Sequence, residues 1–215
     1  MTKTPKVSKT HKVSMCRTAL AAAVLPTLFA GLGPAAAADA LTEEQIINAL
    51  TPARTRSLTL TPAESAATGE NHFLDTLRNR PAHSLTPGER EQIAAAAAAK
   101  PSIDIEINFD FRSAKISRSA ASAVDTLGKA LSNPDLKGST FVLAGHTDGK
   151  GSLSYNQELS EKRVDTVKRY LVTHFKLSPA NLVAVGYGKT KLKNANDPFG
   201  PENRRVQVVN MSESD

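Results

Sequence analysis

The sequence predicts an α+β fold, a two-layer sandwich of βαβαβ(loop)β order with helices packed on a mixed sheet of about four strands. Three observations carry that expectation. Strand-like alternation and helix-like periodicity take turns along the C-terminal half. The longest helical stretch has a broad apolar stripe, so one of its sides must lie on other structure. The chain, 215 residues with 40% apolar and 5% aromatic content, suits one modest domain plus less structured sequence.

Residues 1–38 read as a secretory signal peptide, with cleavage after Ala38 or Ala40. The cations Lys3, Lys6, Lys9, Lys12 and Arg17 precede the apolar run ALAAAVLPTLFAGLG and the small residues PAAAADA. Pro26 interrupts a run already short for a bilayer, so no transmembrane span is expected in the mature chain. The formal charge of +6 belongs to this leader, which holds five of the 27 basic residues and none of the 21 acids. The remainder is almost neutral, and a nucleic-acid partner is not expected. The single cysteine, Cys16, precedes the apolar run, whereas a lipoprotein cysteine would follow it. Cleavage leaves no thiol, which excludes disulfides and cysteine chemistry from the mature chain.

Residues 39–100 read as a helical and polar connector. In LTEEQIINAL, Thr42 stands three before Gln45, a capping-box spacing. In SLTPGEREQIAAAAAAK, Thr86 can cap, Pro87 fits the first turn and Glu89 completes the box. Pro52, Pro62, Pro81 and Pro87 keep the segment from forming one long element. The expectation is a spacer; the alternative is a segment that binds an envelope protein.

Residues 101–215 form the predicted domain. SIDIEINFDF alternates Ile103, Ile105, Ile107, Phe109 and Phe111 with polar residues, a half-buried strand. SRSAASAVDTLGKALSN places Ala120, Val124, Leu127 and Leu131 at helical spacing. STFVLAG is the second strand, a helix follows from about Ser152 to Phe175, and NLVAVGYG and NRRVQVVNM are the third and fourth strands. The first two strand–helix–strand units are expected to be crossovers. The loop KTKLKNANDPFGPE precedes the last strand.

The candidate site comes from the long helix. Leu153, Leu159, Val164, Val167, Tyr170 and Leu171 fall within about 80° of one direction, while Glu161, Lys162, Asp165, Lys168 and Arg169 fall on the far side. Arg163, however, lies about 20° from the centre of the apolar stripe, in line with Asn156. A buried guanidinium must meet an anion or reach water. Asp148, on the turn before the helix, and Asp110, in the first strand, are the nearest acids. Either Arg163 and Asp148 neutralise each other, or they face a pocket suited to a zwitterion, carboxylate to Arg and ammonium to Asp. Arg204 shares a strand face with Val206 and Val208. If helices cover that face, Arg204 is a second inward cation and Arg205 lies in solvent; the opposite assignment stays open.

Other chemistry has little support. GHTDGKGS fails the phosphate-loop spacing, and Asp148 would repel phosphate. His146 and Asp148 form an H-x-D pair that no further ligand cluster completes, so neither metal nor cofactor is expected. No nucleophile–base arrangement can be argued from spacing, and an enzyme is not expected.

The pieces INFDFRSAKI, GHTD, YNQELSEKR, GYG and NRRV, in this order over about residues 101–211, resemble the OmpA-like peptidoglycan-binding domain, the type found in OmpA C-termini, Pal and MotB. The resemblance implies non-covalent binding of the diaminopimelate-bearing stem peptide of peptidoglycan, held by Asp148 and Arg163. It implies that Thr147, Asn156, Asp110 and an arginine of NRR, taken as Arg204, line the same pocket. It also implies a periplasmic or cell-envelope location, with outer-membrane association an option. The connector is too short for the eight or more strands of an outer-membrane barrel. Two other functions are kept as alternatives: a periplasmic peptidoglycan-modifying enzyme, and an envelope scaffold whose connector recruits a membrane protein.

Overall fold

Four strands, Ser102–Ile105 (β1), Phe141–His146 (β2), Leu182–Gly188 (β3) and Val206–Asn210 (β4), form one mixed sheet in the computed structural model, in the order β1-β4-β2-β3. The structure describes residues 41–52, 63–107, 109–110 and 112–212. The signal-peptide expectation for 1–38 therefore lies outside the described residues, as does Phe111. β4 runs antiparallel to both β1 and β2, while β2 and β3 are parallel. The first two strands are thus parallel to each other, as crossover connections require, with β4 inserted between them.

The helices follow from their caps and stripes. Arg118–Leu131 (the fourth helix in the chain) starts at Ser117, whose side chain accepts from Ala120 N, and Leu153–Phe175 (the fifth) starts at Ser152, which accepts from Tyr155 N. Upstream, Glu43–Leu50 (α1), Ala63–Leu77 (α2) and Pro87–Ala97 (α3) complete the set, so the other two are α4 and α5. The capping boxes expected at Thr42/Gln45 and Thr86/Glu89 are both formed.

On one face of the sheet, Leu143, Ala184, Val206 and Val208 meet Val124 and Leu127 of α4 and Val164, Val167 and Leu171 of α5. Ile46 and Leu50 of α1 join this cluster. The other face is covered as well. Val142, Ala144, Val183, Val185 and Val209 pack against Leu74 and Leu77 of α2, Leu85, and Ile93 of α3. Every residue of β2 and β3 is consequently buried, as expected of strands covered on both sides. Each large side chain buried in this way contributes about 1.5–3 kcal/mol. The segment read as a connector therefore supplies cover for the sheet.

Three local departures from the sequence reading have physical causes. The alternation from Ile103 to Phe111 predicts a long first strand, but β1 stops at Ile105 opposite Val206, where β4 begins. Beyond that point β1 has no ladder partner, and the chain turns; Phe109 makes only an isolated bridge to Ile116. Leu153, placed on the apolar stripe, is 62% exposed, because the first turn of α5 overhangs the sheet. Glu161, placed in solvent, is buried, because its side chain lies against Gly186 of β3 and Arg90 of α3 reaches over it, Nη1 donating to Glu161 Oε1 at 3.3 Å. Asp165 on the same side accepts from Ala82 N at 3.0 Å.

Glycines let α5 sit close to the sheet. A Cβ at Gly145 would lie 2.7 Å from the Ser160 carbonyl oxygen, and one at Gly186 would lie 2.6 Å from Ser160 Oγ. The gap is bridged by Gly188 N donating to Ser160 Oγ (2.9 Å) and Gln157 Nε2 donating to Gly186 O (2.6 Å). This contact fixes the N-terminal half of α5, and with it the residues below.

Candidate functional site

An open cleft of about 650 Å³ lies where β2 turns into α5. Its floor is Thr147, Asp148 and the turn to Ser152; one wall is α5 from Tyr155 to Arg163. Phe109 and Arg112, from the chain after β1, and Arg204, just before β4, close the other sides. Five of the six candidate residues, Asp148, Arg163, Asn156, Thr147 and Arg204, thus come together. Asp110 does not: it is exposed and lies outside the cleft lining, because the strand that was to aim it has already ended.

Thr147 is buried, and its backbone N donates to Gly188 O at 2.9 Å. Asp148 Oδ1 accepts from Lys150 N at 3.1 Å, a local turn that holds the carboxylate at the cleft. Asn156 Nδ2 donates to Lys150 O (2.8 Å) and Ser152 O (2.9 Å), so this amide fastens the turn to the helix. The loop before β4 braces the turn from behind, through Gly149 N donating to Pro198 O at 2.7 Å and Lys189 Nζ to Gly151 O at 2.6 Å.

The charged groups are arranged unexpectedly. Asp148 does not pair with Arg163; its Oδ2 meets Arg204 Nη1 at 3.0 Å, and Arg204 is 43% exposed in its side chain. Arg163 is buried, donates from Nε to Ser113 O at 3.0 Å, and lies 4.9 Å from the centroid of the Phe109 ring. Among the described residues it makes no ion pair. Burial pushes its pKa below the ordinary value, with Tyr155 and Asp148 opposing and the nearby Arg204 charge adding to the depression. Among the described residues the cleft therefore presents one buried cation without a counter-ion, beside an acid whose partner is an exposed arginine.

Arg205 goes the other way. Arg204 follows a one-turn 3-10 helix, Pro201–Asn203, and lies at the cleft on the α5 side, the side of Val206 and Val208. Arg205, in solvent under one of the assignments considered, is buried, and its Nε donates to Asp104 Oδ1 at 3.0 Å. Lys193 Nζ lies 2.8 Å from the other oxygen of Asp104. Burial raises the Asp104 pKa, but Lys193 and Arg205 together outweigh it and hold the carboxyl below its ordinary value. His146 sits near this pair, its ring tilted 35° against Tyr187 with centroids 5.4 Å apart and its Nδ1 3.0 Å from Lys191 O. That distance fits Nδ1–H donating to the carbonyl. Burial, reinforced by the Arg205 charge, pushes the His146 pKa down to about 3. Its ring is uncharged at neutral pH and packs beside Tyr187.

Sequence reasoning missed Phe109, Arg112, Lys150 and Tyr155 as cleft residues. Arg112 stands within the quoted INFDFRSAKI segment, just past the predicted strand, where its left-handed backbone (φ 55°) marks a turn that no alternation signals.

Residues 108–205 match the OmpA family. The chain is 38% identical over 104 residues to the peptidoglycan-associated lipoprotein of Pseudomonas aeruginosa, covering 46% of this chain and 58% of that protein. It is 41% identical over 86 residues to outer membrane protein A of Klebsiella aerogenes, covering 40% of this chain and 24% of that one. The match thus spans less than two thirds of either relative. Among solved structures, the peptidoglycan-associated lipoprotein of Burkholderia pseudomallei aligns at 23% identity and a TM-score of 0.40, over 54% of this chain and 92% of that one.

Proposed function

Residues 108–205 are an OmpA C-terminal-like domain, and we propose from this premise that the protein is a non-catalytic, non-covalent binder of the peptidoglycan stem peptide. The ligand is the zwitterionic end of diaminopimelate. Its carboxylate meets Arg163 and its ammonium meets Asp148. The single observation that carries this reading is Arg163, buried on the cleft wall with no acid paired to it. A guanidinium held in that state is completed by a carboxylate ligand, and in a partly desolvated site the contact is stronger than at an open surface. Asp148 is already paired with Arg204, but that partner is exposed and can be exchanged for a ligand ammonium at little cost.

Residues 1–38 direct export, and the protein acts in the periplasmic cell envelope, where wall binding anchors it. Among the described residues no helix is long and apolar enough to cross a membrane.

The test is co-sedimentation with purified sacculi. Wild type is expected in the pellet, while Asp148→Ala and Arg163→Ala stay in the supernatant with unchanged circular dichroism. Removing one partner of a desolvated charge contact typically costs about 2–5 kcal/mol of binding, enough to abolish pelleting. Wild-type pelleting by both folded variants would refute the proposal.

A further inference from the structure

The cleft carries more positive charge than a simple zwitterion can match. Arg112, Lys150, Arg163 and Arg204 line it, against the one acid Asp148. Once a ligand ammonium and carboxylate are assigned to Asp148 and Arg163, the rim cations still face the ligand unmatched. Among the described residues neither Arg112 nor Lys150 is in an ion pair.

Arg112 is the better fixed of these two. It adopts a left-handed backbone, φ 55°, which residues bearing a Cβ usually avoid. The turn around it is closed by Ser113 N donating to Asp110 O at 3.0 Å. The same turn is tied to the site, because Ser113 O accepts from Arg163 Nε at 3.0 Å. Its guanidinium lies 5.7 Å from the centroid of the Tyr155 ring across the cleft mouth. A ring beneath a guanidinium restricts it while leaving its planar N–H fork available, the geometry that suits a carboxylate. Lys150 offers a flexible point charge, and only its backbone is tied into the turn.

We propose that Arg112 reads a second carboxylate of the ligand, so that the cleft prefers an acidic stem peptide to its amidated counterpart. This rests on the zwitterion reading of the same cleft. Beyond the zwitterionic end, the stem tripeptide carries two further carboxylates, the second carboxyl of diaminopimelate and the free α-carboxyl of the γ-linked glutamate that precedes it; Arg112 is assigned the glutamate carboxyl. Conversion of that group to an amide removes the charge but little of the shape. Arg112 is in this sense a specificity-determining residue, while Arg163 and Asp148 hold the common part of the ligand.

The experiment titrates two soluble peptides, L-Ala-γ-D-Glu-diaminopimelate and the same peptide with the glutamate α-carboxyl amidated, into wild type, Arg112→Gly and Arg112→Lys. Glycine accepts positive φ without strain, so Arg112→Gly keeps the turn and removes only the side chain. Wild type is expected to favour the acidic peptide about fivefold, the upper scale of an exposed ion pair. Arg112→Gly is expected to bind both peptides equally, at the wild-type affinity for the amide, and Arg112→Lys to recover part of the preference. Equal wild-type affinities, or a preference retained by Arg112→Gly, would overturn the role of Arg112 while leaving the zwitterion reading intact. Loss of both peptides by Arg112→Gly would make Arg112 a structural support and overturn it also. If neither peptide binds wild type, the zwitterion reading itself fails and this inference falls with it.

Discussion

Arg204 and Arg205 are neighbours in sequence and opposites in circumstance. Each pairs with an aspartate at 3.0 Å, yet the Arg205 side chain is 8% exposed and the Arg204 side chain 43%. Arg205 and His146 are buried beside Asp104, which also takes Lys193 from the surface; Arg204 closes the rim of an open cleft. The difference teaches that an ion pair by itself says little about role. A closed pair, with its charges matched inside the protein, fixes structure. An open pair beside an unmatched cation leaves interactions for a ligand to complete.

The most drastic way to break the comparison is to strip the cover from the sheet face where His146 meets Tyr187. Deleting residues 63–97 removes the cover provided by Leu74, Leu77, Leu85 and Ile93 over Val142, Val183, Val185 and Val209. With about 1.5–3 kcal/mol per large buried side chain, the loss approaches the whole stability of an ordinary domain. The truncated protein is expected to lose its cooperative thermal transition. A sharp transition near that of the full chain would show that these helices are mere linkers.

Acid should act next, on His146 and Asp104. His146 has an ordinary value of 6.5 and is held at about 3 in the fold. The unfolded chain therefore takes up a proton between those values that the folded chain refuses. Stability from this group is complete above about pH 6.5 and declines as pH falls toward 3, by an amount on the order of 4 kcal/mol. His146→Gln should flatten this decline in urea unfolding measured across the same range. Asp104, held below its ordinary value, works in the same direction at lower pH: its contribution is present above about 4 and is lost as pH falls through its depressed value.

Two substitutions sharpen the contrast at smaller scale. Arg205→Ala leaves a partly buried carboxylate with only Lys193 and is expected to cost about 3 kcal/mol in urea unfolding. Arg204→Ala removes an exposed partner and should cost less than about 1 kcal/mol. Equal losses from both would erase the distinction between closed and open pairs.

Much of this was legible in the sequence, and the failures share a physical cause. The start of α5 at Ser152, the strand positions, and the inward placement of Arg163 all follow from local signals: a cap, an alternation, a helical stripe. Glu161 did not follow, because whether a helix flank is buried depends on α3, a neighbour that the stripe cannot name. The length of β1 did not follow either, since it is limited by where β4 begins. Alternation places Arg204 with Val206 and Val208, the α5 side, and Arg205 opposite; it cannot show that the opposite face is covered as well, which buries Arg205. For the site, spacing suggested that Asp148 and Arg163 share one end of the sheet, but not that Asp148 would take Arg204 as its partner.

The central claim is that Arg163 and Asp148 together hold a zwitterionic amino-acid end. Calorimetric titration of free meso-diaminopimelate into wild type and Arg163→Ala tests it most directly. The account predicts saturable one-to-one binding by wild type and none by the folded variant. Absence of binding to wild type, or undiminished binding by Arg163→Ala, would contradict it.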